Sequence, residues 1–329
     1  MYQPRIAIPP AVSVDAFRRR DPGAGVIGLG GATMGTTWSA RIVSPRPATE
    51  LNGAIERALD DVIDEMSHWE PGSLLSRVNA APLGEWCSLR ADLAYVIDAG
   101  LAVADASGGA FDPAAGTLVD LWGFGPAGPR TERPSDEEVA AMASGRAAIE
   151  RQGNRVRRTA DVRIDLSGIA KGFAVDALAR ALLALGVRDF LVEIGGELRG
   201  EGMKPDAQPW WVDLEPPPGA RLTPIRLALH GVSVATSGDY RRFFDADGTR
   251  YAHTIDPRTR APLVNDVASA SVIHAECMMA DAWATALMVL GPDKGMALAE
   301  REGLAARIVL RDGAEHRELL SSTLQAMLD

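Results

Sequence analysis

Hydrophobic and polar residues follow the two periods of secondary structure along most of the chain. Apolar residues three or four positions apart predict helices over 51–69, 91–106, 168–185 and 277–291. Strand-like patterns predict strands over 36–43, 189–193, 210–214 and 225–229. Because helices and strands come in mixed order, the chain is expected to adopt an α+β fold with largely antiparallel sheets and flanking helices.

Shorter patterns complete this prediction. Ser135 and Glu138 have the spacing of a capping box and predict a short helix. Residues 156–166 are interpreted as a hairpin, and 240–255 as another hairpin around Asp247-Gly248. Residues 1–27 are rich in Pro, Arg and Gly without periodicity, so they are expected to form an extension or a loosely attached arm. The folded domain is predicted to span 28–329.

Composition sets the outer limits of function. With 329 residues, 47% of them hydrophobic, the chain can bury a large core. A net charge of -10 and the absence of a basic cluster argue against a nucleic-acid partner, whose phosphates are neutralised by Lys and Arg. No apolar stretch approaches the roughly 20 residues that span a bilayer. Since no secretory signal is visible either, a cytoplasmic location is expected. Cys87 and Cys277 lack metal-site spacing and are expected to be inert core thiols.

Asp281 and Thr285 interrupt the apolar helix predicted over 277–291. At four positions apart they lie on one helical face. A buried carboxylate needs a partner, because desolvating it alone costs roughly several kcal/mol. Mg²⁺ would suit, since it takes oxygen ligands and is commonly held by one or two carboxylates plus substrate phosphates. The alternative is that Asp281 simply lies near the helix start, where the dipole favours it.

Two glycine-containing segments permit close backbone approach to a ligand. Residues 28–38 are not a dinucleotide fingerprint, because a strand rather than a helix is predicted to follow them. In the segment DLSGIAKG (165–172), a helix start would attract an anion and Lys171 would add a cation, which is the chemistry of a phosphate site. A softened helix start with a surface lysine is the plainer interpretation of that segment.

An aromatic residue next to an acceptor occurs in GGAFDP (108–113). Phe111 and Asp112 would suit a flat heterocycle that stacks and donates hydrogen bonds. His253 precedes the turn-forming Asp256-Pro257, a rigid place to aim a side chain. With an ordinary pKa of about 6.5 it could act as a base at neutral pH, although a lone histidine is more often structural.

In their order and spacing, these segments resemble the ApbE family, the FAD:protein FMN transferases, from about Gly30 to the C-terminus. The matching motifs are GATMGT (31–36), MSxW (66–69), GAFDP (109–113), DLSGIAKG (165–172), IGGE (194–197), SGDY (237–240), HTIDPRT (253–259) and ADAWAT (280–285). The resemblance implies a T-fold-related α+β architecture. It also implies that FAD and Mg²⁺ bind and that the FMN half of FAD moves onto a Thr or Ser hydroxyl of a target flavoprotein, releasing AMP.

The resemblance assigns roles to individual residues. Asp281 and Thr285 would ligate Mg²⁺ with their side chains, joined by a backbone carbonyl near Gly168. His253 would be the base for the acceptor hydroxyl, with Asp281 and Lys171 also catalytic. The residues expected to line FAD are Met34, Trp69, Ala110, Phe111, Asp112, Asp165, Lys171 and Thr254.

Two departures from the family pattern bear on these expectations. Arg260 stands where the family usually has glycine, which would alter a turn beside the acceptor channel. No signal or lipobox cysteine is visible, although the family is largely exported and lipid-anchored. An FAD pyrophosphatase, in which water replaces the acceptor hydroxyl, and a flavin-binding protein without turnover remain alternatives.

Overall fold

The computed structural model describes residues 3–10, 14–143, 145–240, 243–246, 249–313 and 315–328. Its strands are β1 (Arg5–Ala7), β2 (Val26–Thr33), β3 (Thr36–Val43), β4 (Cys87–Ser88), β5 (Ile149–Gln152), β6 (Arg155–Arg158), β7 (Asp189–Ile194), β8 (Glu197–Glu201), β9 (Trp210–Asp213), β10 (Ile225–Leu229), β11 (Val232–Gly238), β12 (Phe243–Ala246), β13 (Thr249–Ala252), β14 (Ile255–Asp256), β15 (Ala261–Pro262), β16 (Val267–His274), β17 (Ala305–Asp312) and β18 (Glu315–Leu320). Its helices are α1 (Val14–Arg19), α2 (Ala48–Met66), α3 (Leu74–Ala80), α4 (Ala91–Ala106), α5 (Gly116–Leu121), α6 (Asp136–Ala141), α7 (Ala170–Ala184), α8 (Cys277–Arg301) and α9 (Ser322–Gln325).

The centre of the molecule is an eight-stranded sheet. Its strand order is β18-β17-β16-β11-β8-β7-β3-β2, and all neighbouring strands are antiparallel. In β16 every residue from Val267 to Ile273 is buried, because structure covers both faces of the sheet. The prediction of an α+β fold with largely antiparallel sheets is confirmed.

A layer of helices covers one face of this sheet. Helix α8 packs against β11, β16 and β17, and α7 packs against β7 and β8. Along β7, Phe190 and Val192 point into the core beneath the helices, whereas Leu191 packs against the core on the opposite face. Full burial of a Phe or Val side chain stabilises the fold by about 1.5–3 kcal/mol. Because successive side chains of a strand point to opposite faces, β7 contributes side chains to both cores.

Helix α8 carries a break within it. Gly291 has a non-helical φ of 78°, and Pro292 follows it. Proline cannot donate to the carbonyl four residues earlier, which is that of Met288. The Asn265 side chain fills this gap, since its Nδ2 donates to Met288 O at 3.1 Å. The predicted end at 291 coincides with this break, and the chain then continues as helix to Arg301.

A smaller three-stranded sheet covers the opposite face. In it β1 pairs in parallel with β10, which pairs antiparallel with β9. Trp210 and Leu227 are buried beneath it. Part of the expected arm is thus strand, with Arg5 opposite Ile225, because the backbone of β1 finds its hydrogen-bond partners on the body of the protein. The interpretation of residues 1–27 as loosely attached is wrong for β1, and β2 already begins at Val26. The division of domains at residue 28 stays a prediction.

Two predicted segments differ from the structure. The hairpin expected over 156–166 is displaced, since β6 pairs with β5 across Gly153-Asn154. Residues after β6 form no strand, because the Asn79 side chain binds both the amide (2.7 Å) and the carbonyl (2.9 Å) of Ile164. The glycine-rich segment expected ahead of a strand is itself strand β2, joined to β3 through Met34 and Gly35, whose φ angles are 47° and 71°.

Other elements agree more closely with their predictions. Helix α4 has the predicted bounds, and the capping box of Ser135 and Glu138 begins α6. The hairpin of β12 and β13 forms, but its predicted turn at 247–248 lies outside the described residues. His253 follows β13 rather than lying on it. Both cysteines are free thiols. Within the described ranges, every helix is too short or too polar to cross a bilayer.

Candidate active site

The predicted site residues line two hollows that share Trp69, Ser167 and Lys171. The first hollow has a volume of about 280 Å³, and its lining includes Ala110, Phe111, Asp112, Asp165, Gly168, His253, Thr254, Asp281 and Thr285. The second has a volume of about 630 Å³, and its lining includes Met34. The fold therefore brings every predicted site residue to one two-part cleft.

The start of α7 meets the Asp281 carboxylate at the bottom of the first hollow. The backbone amide of Gly172 donates to Asp281 Oδ2 at 3.1 Å. A Cβ at Gly172 would lie 2.4 Å from the carbonyl oxygen of Cys277, so only glycine lets the two helices approach this closely. Burial raises the pKa of Asp281 more than Lys171 and the amide lower it. The anion at this helix start is thus a carboxylate of the chain itself.

Lys171 lies between two buried carboxylates. Its Nζ is 2.8 Å from Glu197 Oε1 and 3.8 Å from Asp281 Oδ1. Burial lowers the pKa of Lys171, but Asp281 and Glu197 together raise it by more, so the net pKa lies above its usual value. Lys171 is therefore an ammonium ion at neutral pH. About a third of its side chain, 32%, still faces the cleft.

The position of Asp281 depends on how α8 begins. Glu276, the residue just before α8, makes no side-chain cap. Instead, Asp176 of α7 accepts from the backbone amides of Cys277 and Met278, both at 3.0 Å, and from Arg199 Nη1 at 3.0 Å. Burial raises the pKa of Asp176 beyond what these donors lower it. Helix α7 thus caps the start of α8 through Asp176, and Asp281 lies one turn after that start.

Asp281, Thr285, Ser237 and Gly168 line the same hollow and could supply oxygen atoms to a metal. Thr285 Oγ1 lies 3.1 Å from Ser237 Oγ. Gly168 lies against this group, since a Cβ there would be 3.2 Å from Thr285 Oγ1 and 3.1 Å from the Phe111 ring. Among the residues the structure describes, no three His, Cys, Asp or Glu side chains form a metal site. One carboxylate, one hydroxyl and a backbone carbonyl fit Mg²⁺, whose remaining positions water and phosphate oxygens commonly fill.

The aromatic wall of the first hollow differs in one respect from its prediction. Phe111 is buried and faces the cleft. Asp112 Oδ1 accepts from the Ala114 amide at 2.8 Å, and its Oδ2 accepts from the Arg146 amide at 2.9 Å. Burial raises the pKa of Asp112 more than these bonds lower it. The carboxylate therefore holds the wall in place, and its contact with a heterocycle stays a prediction.

His253 also lines the first hollow. Its ring meets the Phe124 ring edge-on, with centroids 6.4 Å apart. The chain after it is held by Asp256, which binds the Arg258 guanidinium through two hydrogen bonds of 2.8 Å. This ion pair supports the turn that carries the histidine.

A family model described as the ApbE family matches residues 34–308. The chain belongs to the ApbE family. It is 36% identical over 307 residues to an FAD:protein FMN transferase of Vibrio cholerae, covering 91% of this chain and 92% of that one. It is 35% identical over 320 residues to an FAD:protein FMN transferase of Haemophilus influenzae, covering 93% and 92%. The solved structure of Pseudomonas stutzeri flavinyl transferase ApbE in its apo form is 38% identical, with a TM-score of 0.85 over 92% of this chain and 97% of that chain.

Arg260 is the position at which the resemblance leads us to expect glycine, and its turn has the conformation that glycine favours. Arg260 has a φ of 61°. Its amide donates to Asp256 O at 2.7 Å, and its carbonyl accepts from Trp122 Nε1 at 2.9 Å. These bonds hold arginine in a left-handed conformation that costs about 1–2 kcal/mol for a residue with a Cβ.

Several polar residues of the cleft and its support were not predicted from the sequence. Glu197 and Ser237 line the first hollow and His68 lines the second, while Asp176 supports α8 from beneath. Glu197 and Ser237 stand within family motifs, so a motif-wide search for polar side chains could have found them. His68 Nδ1 lies 3.6 Å from Asp165 Oδ1, a contact across almost a hundred residues that no local pattern indicates.

Proposed function

We propose that this ApbE-family chain is an enzyme that uses Mg²⁺ to transfer the FMN half of FAD to a Thr or Ser hydroxyl of an acceptor flavoprotein, releasing AMP. The observation that carries the proposal is the two-part cleft with Lys171 at its junction. A dinucleotide has two flat groups joined by a diphosphate, so it needs two hollows and a cation between them. The names of the relatives and their coverage of the chain support the same activity.

The residues at the junction suit a diphosphate. Lys171 supplies a positive charge that is already oriented by two carboxylates. The oxygen ligands of Asp281, Thr285 and Gly168 would hold Mg²⁺, which would neutralise charge on the phosphate oxygens. Because the protein holds these groups in place before reaction, little reorganisation is needed when charge develops. Phe111 and Trp69 would each contact a flat ring of FAD.

The reaction is one substitution at phosphorus. The acceptor hydroxyl oxygen forms a bond to the FMN phosphorus while the bond from that phosphorus to the bridging oxygen breaks. The bridging oxygen leaves with AMP. His253 takes the hydroxyl proton, and Lys171 stabilises the charge on the leaving phosphate. If water took the place of the hydroxyl, the same step would release free FMN and AMP.

The test is an assay of the purified protein with FAD and Mg²⁺, with and without an acceptor flavoprotein domain that carries a Thr. The acceptor is expected to gain the mass of FMN less one water while AMP is released. Asp281→Asn is expected to slow the transfer by roughly 10²–10³, the loss typical when one group that stabilises developing charge is removed. The matched control Asp60→Asn changes an exposed carboxylate of α2 and should not alter the rate.

Other outcomes identify the alternatives. Equal AMP release without acceptor, and with no gain in acceptor mass, would show a hydrolase. FAD that binds and remains intact in both assays would show a flavin-binding protein without turnover. An Asp281→Asn variant with unchanged activity would contradict the assignment of the metal site. The cytoplasmic location stays a prediction.

A further inference from the structure

One oxygen of Asp281 has two cations as prospective partners. Its Oδ2 accepts the amide hydrogen of Gly172, and its Oδ1 lies 3.8 Å from the Lys171 ammonium. A Mg²⁺ ion on Oδ1 would lie about 2.0–2.1 Å from that oxygen. The ammonium and the divalent cation therefore compete for the same side of one carboxylate, and their like charges repel each other.

Glu197 offers the ammonium a second carboxylate. Its Oε1 lies 2.8 Å from Lys171 Nζ, which is 1.0 Å closer than Asp281 Oδ1. Glu197 is 2% exposed, so water screens its charge little. The contact thus holds Lys171 on the Glu197 side of the cleft.

The backbone fixes where Glu197 can stand. It is the first residue of β8 and pairs with Ile194 of β7 across a turn of two glycines. Gly195 and Gly196 have φ angles of 60° and 103°, and the Gly196 amide donates to Glu193 Oε1 at 2.8 Å. Because Glu197 is part of a strand inside the sheet, its carboxylate has a fixed position. The contact therefore depends on the longer Lys171 side chain adopting a conformation that reaches Glu197.

We infer that Glu197 is a positioning residue that draws the Lys171 ammonium away from Asp281 and so keeps Asp281 Oδ1 available to a divalent cation. The inference rests on the proposed function, since it takes Asp281 as a metal ligand. It assigns Glu197 no contact with the reacting atoms. Without Glu197, the ammonium would turn to its one remaining carboxylate and occupy the place of the metal.

The test measures Mn²⁺ affinity rather than activity. Mn²⁺ accepts the same oxygen ligands and is paramagnetic, so its binding is followed by electron paramagnetic resonance. ADP, present at saturation, supplies a diphosphate without a group to transfer. Glu197→Gln is expected to weaken Mn²⁺ binding by about 10-fold or more, in the range found for residues that support metal ligands. Glu193→Gln, an acid-to-amide change in the same hairpin, should leave the affinity within about 2-fold.

Two further variants separate positioning from a general effect of negative charge. In a Lys171→Met background there is no ammonium to hold, so Glu197→Gln should weaken Mn²⁺ binding by less than about 3-fold. An equal loss in both backgrounds would overturn the inference, because Glu197 would then act as a bare charge. Glu197→Asp keeps the charge but is shorter by one methylene group, and positioning expects it to weaken binding as well. Unchanged affinity in Glu197→Asp and Glu197→Gln would also overturn the inference.

Folding and the fate of the proposed function are checked separately. The double variant Lys171→Met/Glu197→Gln replaces a buried ion pair with neutral residues of similar size and is expected to fold, as shown by its thermal unfolding. If the wild-type protein transfers FMN while Glu197→Gln binds Mn²⁺ normally, only the inference fails. If wild-type Mn²⁺ binding does not depend on Asp281, the metal site fails and the inference fails with it.

Discussion

The floor and the rim of the cleft are built in different ways. The floor consists of Lys171, Gly172, Glu197, Asp281 and Thr285, and the rim of Trp69 and the segment 253–260. Glu197 and Asp281 are 2% and 3% exposed, whereas Trp69 is 46% exposed. Floor charges are held by each other and by helix starts, as the contacts of Lys171 and Asp281 show. The floor charges are therefore fixed by contacts within the protein, while the rim at Trp69 stays exposed.

The largest effect is expected at the rim, where a substitution should change the rate of FMN transfer but not FAD binding or stability. His253→Ala removes the proposed base and should slow FMN transfer by roughly 10²–10⁴. FAD affinity and the unfolding temperature should stay close to those of the wild-type protein, because the floor charges are held by Glu197, Asp281 and the Gly172 amide. Stopped assays of acceptor mass, together with FAD titration, measure the two quantities. A rate that stays within about 3-fold of the wild type would remove His253 from the reaction.

The floor should respond to a single added methyl group. Gly172→Ala places a Cβ 2.4 Å from the Cys277 carbonyl oxygen, so α7 and α8 must separate. The free energy of unfolding should fall by about 3 kcal/mol, the upper end of typical overpacking costs. Denaturant unfolding measures the change.

A glycine close to the rim in the chain supplies the matched control for that variant. Gly72, three residues after Trp69, is exposed, and a Cβ added there would have no neighbouring atom within 4 Å. Gly72→Ala should therefore change stability by less than about 0.5 kcal/mol. Equal losses in both glycine variants would contradict the contrast between a packed floor and an open rim.

A smaller effect is expected where the rim contacts the substrate. Trp69→Ala should weaken FAD binding by about three- to tenfold, because a ring contact of this kind contributes roughly 0.5–1.5 kcal/mol. Tyr95 is equally exposed at 46% and lies outside both hollows. Tyr95→Ala should leave FAD affinity unchanged, as isothermal titration would show. A loss of the same size in both variants would mean that Trp69 has no special place at the cleft.

The smallest effect concerns backbone strain in the rim. Arg260→Gly removes a side chain from a position with φ 61° and should raise the free energy of unfolding by about 1 kcal/mol. Thermal unfolding of the variant measures this change. Gly186 has a φ of 80°, and a Cβ added to it would meet no atom within 4 Å, so Gly186→Ala serves as the reverse control and should lower stability by a similar amount. A less stable Arg260→Gly would show that contacts of the arginine side chain outweigh the strain.

Much of the secondary structure can be predicted from the local pattern of hydrophobic and polar residues. Helix α4 has the predicted bounds of 91–106. Its apolar periodicity and the residues that flank it are both local signals, which the sequence shows directly. The hairpin predicted over 156–166 was wrong because an alternating pattern says which residues are buried and not which partner satisfies the backbone. That partner is the side chain of Asn79, distant in the chain.

By itself, the sequence determined the types of most elements, the α+β class, and the presence of Asp281 and Thr285 on one face of an apolar helix. Local sterics and hydrophobic periodicity decide these features, and both act between near neighbours. Only the tertiary structure decided that Glu197 meets Lys171, that Asp176 caps the start of α8, and that Gly172 donates to Asp281. These contacts join separate elements, and their strength depends on burial, which exists only once the two cores and the sheet between them have formed.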